Sequence, residues 1–223
     1  MKPISKINAL LNQKSEASIL IVDGLEFKDL NKNKQLDIYE DYRKTALERS
    51  TDLLSQMTLE EKVGQMFHPP VVIKPDPMFR AFLEAMSDGI SIEEFISVKH
   101  LSHFNFYGEA SPIEIAKRLN ELQKIAEKTR LGIPVTFSSD PIHEVPRGGG
   151  IAAFSLDGFS KWPSQLGFAA TRDSNLIYEF GQVASAEYRA VGFRTGLHPM
   201  SDLATEPRWA RNFGTFGSDA DLS

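Results

Sequence analysis

Asp140 closes a strand-like run, Ile133 to Phe137 followed by Ser138 and Ser139, and opens a long irregular stretch carrying His143. The β-branched and aromatic residues predict a buried strand with a polar exit. A carboxylate there can accept two hydrogen bonds from a polyol. It can equally serve as a turn residue or helix cap, and the local sequence leaves both readings open. His143 reads more readily as a structural hydrogen-bonding group than as a catalyst. A second cluster follows the next strand candidate, Phe193 to Leu197. It comprises His198, Pro199, Ser201 and Asp202, then Pro207, Arg208, Trp209, Ala210 and Arg211. Two arginines bracketing a tryptophan offer planar donors suited to hydroxyls or carboxylates. The alternative is a structural ion pair with Asp202, Glu206 or Asp219, easier to accept for one arginine than for both.

A third cluster lies near the start of the chain. Asp29, Asn31, Asn33, Gln35, Asp37 and Glu40 fall at positions 1, 3, 5, 7, 9 and 12 of a calcium-binding loop, with the apolar Leu36 in the eighth place. Lys34 stands where such a loop uses glycine for its sharp turn, and it brings a positive charge close to the ion. A structural calcium ion and an Asn-rich turn docked on the domain are both left open. Two other patterns carry less. Gly148 to Gly150 resembles a phosphate-cradling loop, but no GK[ST] follows and no helix opens there. Lys99 and His100 precede a strand, which sets them at the end of a parallel sheet opposite to the usual site.

The elements that must hold these residues follow from periodicity. Residues 1–57 read as a polar preamble, with the calcium-like loop and a partly amphipathic helix from Thr45 to Met57. Thr58 stands three residues before Glu61 as a capping box, and Leu59, Val63 and Met66 give the second helix an apolar face. Within 58–223, short strand candidates at Val71–Ile73 and His103–Tyr107 are separated by helix-like stretches around Phe79–Met86 and Ile92–Val98. Ile115, Leu119, Leu122 and Ala126 line one face of a helix opened by Ser111 and Pro112 and closed by Gly132. Asp173 or Ser174 caps a further helix ending at Gly192. Strands alternating with helices predict an α/β fold with a parallel sheet, whose sites collect at the carboxyl ends of the strands.

Composition narrows the function classes. A chain of 223 residues with 41% hydrophobic and 25% charged residues can build a core without staples. The absence of cysteine excludes disulfides, thiol nucleophiles and Cys-based zinc sites. A net charge of -5 argues against a nucleic-acid partner. No apolar run approaches the roughly 20 residues that cross a bilayer, and no signal peptide is evident, so a cytoplasmic protein is expected.

Several segments together resemble the N-terminal domain of glycoside hydrolase family 3, the β-glucosidase and β-xylosidase family: DLNKNKQLDIYEDYR, MTLEEKVGQM, GIPVTFSSDPIHE, WPSQLGFAATRD, SAEYRAVGF and HPMSDLATEPRWARNFGTFGSDADL. The resemblance runs from about Gly24 to the last residue. It implies the first part of a (β/α)8 (TIM-type) barrel, incomplete here, with a β-linked oligosaccharide or glycoside as substrate and no cofactor required for catalysis. Asp140 matches the family aspartate that binds sugar hydroxyls in the first subsite, and Arg211 matches its arginine in that pocket. His143, Asp202, Arg208 and Trp209 match supporting positions. The family commonly reads PRWGR, so Ala210 is a departure. Retaining enzymes need a nucleophile and an acid/base about 5–5.5 Å apart. The family supplies both beyond the segments matched here, from the remainder of the barrel and a C-terminal domain. About 160 residues are available for a barrel that typically takes about 250. The isolated chain is therefore expected to be inactive. The alternative is a non-catalytic carbohydrate- or calcium-binding protein.

Overall fold

The computed structural model describes residues 15–73, 77, 81, 85, 87–140, 142–144 and 156–223. The chain divides into two compact units. The first is Met1–Pro69, Arg80–Phe104 and Lys117–Thr136, and the second is Pro70–Phe79, Asn105–Ala116 and Phe137–Ser223.

The first unit opens with an antiparallel hairpin, β1 (Ser18–Val22) and β2 (Leu25–Asp29), in register from Ser18↔Asp29 to Val22↔Leu25. Its two-residue turn is Asp23-Gly24, with φ of 54° and 76°. Both residues of such a tight hairpin turn need positive φ, which Asp tolerates and Gly adopts freely. Helix α1 (Ala46–Gln56) starts at a capping box between Thr45 and Glu48, and α2 (Leu59–Gly64) at the expected one between Thr58 and Glu61. Helix α3 (Ile92–Ser97) begins with a third, Ser91 with Glu94. The apolar face expected on α2 is not a buried one. Leu59, Val63 and Met66 are 72%, 44% and 82% exposed, whereas Glu61 and Gly64 are buried. Two contacts turn the helix that way. Arg130 grips the Glu61 carboxylate, and a Cβ on Gly64 would lie 2.4 Å from the His100 carbonyl oxygen.

The four-stranded sheet has most of its residues in the second unit. Strands β3 (Pro70–Val72), β4 (His103–Tyr107), β5 (Thr136–Ser139) and β6 (Thr195–Gly196) lie in sequential order, and the pairs β3–β4 and β5–β6 are parallel. Parallel strands placed one after another in sequence step round in one direction, as in a (β/α)8 barrel and unlike a doubly wound sheet, where the order reverses. The fold is thus α/β, a partial TIM-type barrel. Helix α4 (Pro112–Lys128) connects β4 to β5, and its Ile115, Leu119, Leu122 and Ala126 are at most 2% exposed, as their spacing predicts. Helix α5 (Gln165–Thr171), which the sequence reading did not anticipate, leads to α6 (Ser174–Val191), capped by Asp173 and stopped at Gly192 with φ 107°. Strand β5 begins and ends later than the run Ile133–Phe137 suggests. Ser138 and Ser139 belong to the strand and are fully buried, the Ser138 hydroxyl being satisfied by donating to Asn105 Oδ1 at 2.5 Å. Strand β6 is shorter than Phe193–Leu197, yet the Arg194 and Leu197 amides continue the pairing, donating to the Phe137 and Ser139 carbonyls. The stretch around Phe79–Met86 lies almost wholly outside the described residues, and Gly148 to Gly150 lie entirely outside them.

Candidate functional site

Asp140 follows directly on β5, at the carboxyl end of the sheet. Three neighbours surround it. The Asn105 side-chain amide of β4 donates to Oδ2 at 3.3 Å, and Asn105 is itself fixed by Ser138. The Tyr188 hydroxyl of α6 donates to the Asp140 carbonyl oxygen at 2.6 Å and lies 3.1 Å from His198 Nε2. Tyr107, at the end of β4, has its hydroxyl pKa raised by burial and by the Asp140 carboxylate beside it. Backbone and carboxylate are thus held from the neighbouring strand β4 and from helix α6. Asp140 lines a cavity of 760 Å³ together with Tyr107, Leu197, His198, Ser201, Asp202 and Arg211. This is a volume that fits a small ligand, and its walls carry the polar groups one would need. A second cavity, of 410 Å³, is walled by α6 residues such as Ile177, Phe180 and Ala184 and lacks a carboxylate.

The segment after β6 brings Arg211 to the same cavity. Its guanidinium is exposed and donates to Met200 Sδ at 3.2 Å. Arg208 behaves differently. It forms a two-pronged contact with Glu206, 2.8 Å on each arm, on the exposed surface. Arg208 thus forms one of the ion pairs that its surroundings offered, whereas Arg211 lines the cavity. Trp209 is half-buried and sits in the turn itself, where its amide donates to the Glu206 carbonyl and its carbonyl accepts from Asn212. Asp202 is exposed on the cavity rim.

His143 is buried, at 1% exposure, among the rings of Phe159, Phe180 and Tyr188. Its Nε2 lies 2.9 Å from Glu187 Oε2, a contact that becomes an ion pair only when the ring is protonated. Burial lowers the imidazole pKa, and the nearby Glu187 carboxylate opposes the shift. His143 is not among the residues lining the 760 Å³ cavity. Its backbone carbonyl accepts the Trp162 amide at 2.7 Å, which ties down the stretch after β5.

Asn105, Tyr107 and Tyr188 carry no sign of a site in their residue type, whereas His198 stands in the polar cluster after the last strand without a role assigned to it. Asn105 had a legible signal, a lone amide inside the apolar strand HFNFY. A buried amide in such a place needs partners, and here they are Ser138 and Asp140. Tyr188 continues the spacing of Ala184 and Val191 on α6, a pattern that reads as core and gives no hint of its hydroxyl's role.

The α/β scaffold thus sets a carboxylate and an arginine at the carboxyl ends of parallel strands. Residues 58–223 match the glycosyl hydrolase family 3 N-terminal domain, and the chain belongs to that family. It is 44% identical over 196 residues to β-glucosidase C of Emericella nidulans, covering 87% of this chain and 30% of that protein. It is 42% identical over 209 residues to the periplasmic β-glucosidase/β-xylosidase of Dickeya chrysanthemi, covering 93% and 31%. The chain thus spans about 30% of the length of these curated relatives. Among solved structures, a β-glucoside phosphorylase bound to 2FGlc matches with a TM-score of 0.57 at 21% identity, over 81% of this chain and 29% of that one. A family 3 β-N-acetylglucosaminidase from Paenibacillus sp. str. FPU-7 matches with a TM-score of 0.55 at 25% identity, over 74% and 28%.

Proposed function

We propose that this chain supplies the sugar-binding face of a retaining, exo-acting β-glycosidase that hydrolyses O-glycosidic bonds at the non-reducing end of β-glucosides or β-xylosides. The observation that carries the reading is the Asp140 carboxylate, fixed by Asn105 and flanked by Tyr107, on the wall of a 760 Å³ cavity that Arg211 shares. The names of the relatives, β-glucosidase and β-glucosidase/β-xylosidase, point to the same substrates.

In this reading Asp140 accepts hydrogen bonds from two adjacent ring hydroxyls. Asn105 holds the carboxylate at the angle they need, and Tyr188 pins the backbone beneath it. Arg211 donates to a further hydroxyl from across the cavity. These groups bind and orient. The nucleophile and the acid/base, about 5–5.5 Å apart in a retaining enzyme, are assigned to no residue of this chain. The remainder of the barrel and a C-terminal domain would supply them.

Two measurements on the 223-residue chain test this. Calorimetry with glucose should give millimolar binding, weakened at least tenfold by Asp140→Ala, since a hydrogen bond to a charged group is worth about 1.5–3 kcal/mol. Arg211→Ala should weaken binding less, because its guanidinium is solvated. Binding untouched by Asp140→Ala would contradict the assignment. In the second, no turnover of an aryl β-glucoside above a buffer blank is expected. Turnover abolished by Asp140→Ala would show that the chain carries its own catalytic carboxylates.

A further inference from the structure

The loop from Asp29 to Glu40 takes no part in the sugar site, yet it gathers oxygen atoms round its own interior. Asp29 is 1% exposed, and its Oδ2 accepts the Lys34 amide across the loop at 3.2 Å, which turns the carboxylate inward. Its other oxygen, Oδ1, is equally buried and finds no hydrogen-bond donor among the described residues. A buried anionic oxygen without a partner is costly, and such atoms in native proteins call for an ion, a water or a function. Glu40, 5% exposed, folds back over the loop. It accepts the Leu30 and Asn31 amides on Oε1, at 2.6 and 3.2 Å, and the Asp37 amide on Oε2 at 3.1 Å. Asp37 Oδ2 receives the side-chain amides of Asn31 and Asn33, each at 2.7 Å.

Lys34, at the glycine position, removes the main objection raised by the sequence. Its φ is 63°, so the backbone makes the left-handed turn that a calcium loop requires there, at some strain for a residue with a Cβ. Among the described residues no three His, Cys, Asp or Glu side chains already converge as a metal cluster. Half of this donor set consists of Asn31, Asn33 and the Gln35 carbonyl, and Asp37 is engaged by the two asparagines. Releasing those amides frees the Asp37 carboxylate, and each asparagine oxygen retains a second lone pair.

We propose that this loop binds a calcium ion through the side-chain oxygens of Asp29, Asn31, Asn33 and Glu40, the Gln35 carbonyl and, by way of a water, Asp37. All the donors are oxygen, and the ring is irregular and adaptable, which suits calcium better than magnesium or a transition metal. The ion would brace the first unit, because the loop docks on the end of α4. The Tyr39 hydroxyl donates to the Leu131 carbonyl at 3.2 Å, the Lys32 ammonium reaches the Thr129 carbonyl, and Gly132 leaves no room for a Cβ beside Leu30. The Lys34 charge sets the affinity at the weak end of such loops, a Kd of about 10⁻⁴–10⁻³ M.

The test is calorimetry and thermal melting of the chelator-treated full chain with calcium chloride. One ion per chain should bind saturably, and the melting temperature should rise by several degrees at about 10 mM calcium but not at the same concentration of magnesium. Lys34→Gly should bind roughly tenfold tighter by removing a like charge and relieving the turn, and Asp29→Asn at least tenfold more weakly. Circular dichroism checks that each variant folds. If Asp29→Asn does not, Glu40→Gln takes its place. Absence of saturable binding in both the native chain and Lys34→Gly overturns the proposal, as does binding that neither Asp29→Asn nor Glu40→Gln weakens.

Discussion

His143 and His198 stand behind and beside Asp140, and both have pKa values lowered by burial, with Glu187 and Asp140 respectively opposing the shift. The folded chain therefore holds them neutral where the unfolded chain, with ordinary values near 6.5, takes up protons. Stability is intact above about pH 6.5 and falls as the pH drops below it, because the unfolded state binds more protons. Urea unfolding should show a lower midpoint at pH 5 than at pH 7, with a smaller loss in His198→Gln; equal midpoints would refute the burial of these rings. A separate loss belongs to more acidic solution. Burial would raise the Glu61 carboxyl, but Arg130 and the Thr58 amide hold its pKa below the usual range, so that contribution disappears only as the pH falls below about 4. At this scale the sequence exposed Asp140 and Arg211 through their place after strands. It concealed Tyr188, because a hydroxyl on an apolar helix face looks structural until the cavity is seen.

At the scale of elements, packing decides what periodicity only suggests. Leu122 is fully buried on α4, so Leu122→Ala should cost about 2–5 kcal/mol. Leu54 on α1 is 53% exposed, and Leu54→Ala should change stability by less than about 0.5 kcal/mol. Denaturant titrations of the pair measure the contrast directly. Gly64→Ala should destabilise by about 1–3 kcal/mol even though alanine favours helices, since the new Cβ meets the His100 backbone and not a flexible side chain. A neutral result would mean that α2 and the His100 segment are not packed as described. Helix starts were legible because Thr58 with Glu61 and Asp173 write their caps locally. The face that α2 buries was not legible, because a distant arginine, Arg130, sets it. The register of β5 escaped for a related reason. Serines read as a loop, and the burial of Ser138 depends on Asn105, a residue on another strand.

For the molecule as a whole, sequential parallel strands place Asp140, His198 and Arg211 along one edge of the second unit. The hairpin and the calcium-like loop belong to the first unit and bear on its stability. The chain spans about 30% of the length of its curated relatives, and the sugar-binding proposal can be tested on it directly. Amide chemical shifts of the isotope-labelled chain, followed through a glucose titration, locate the sugar without any assumption about turnover. Saturable shifts confined to residues around Asn105–Tyr107, Asp140, Leu197–Asp202 and Arg211, and lost in Asp140→Ala, are the expected result. Shifts centred on Phe180 and Ala184 at the 410 Å³ cavity, or a pattern that survives Asp140→Ala, would contradict it.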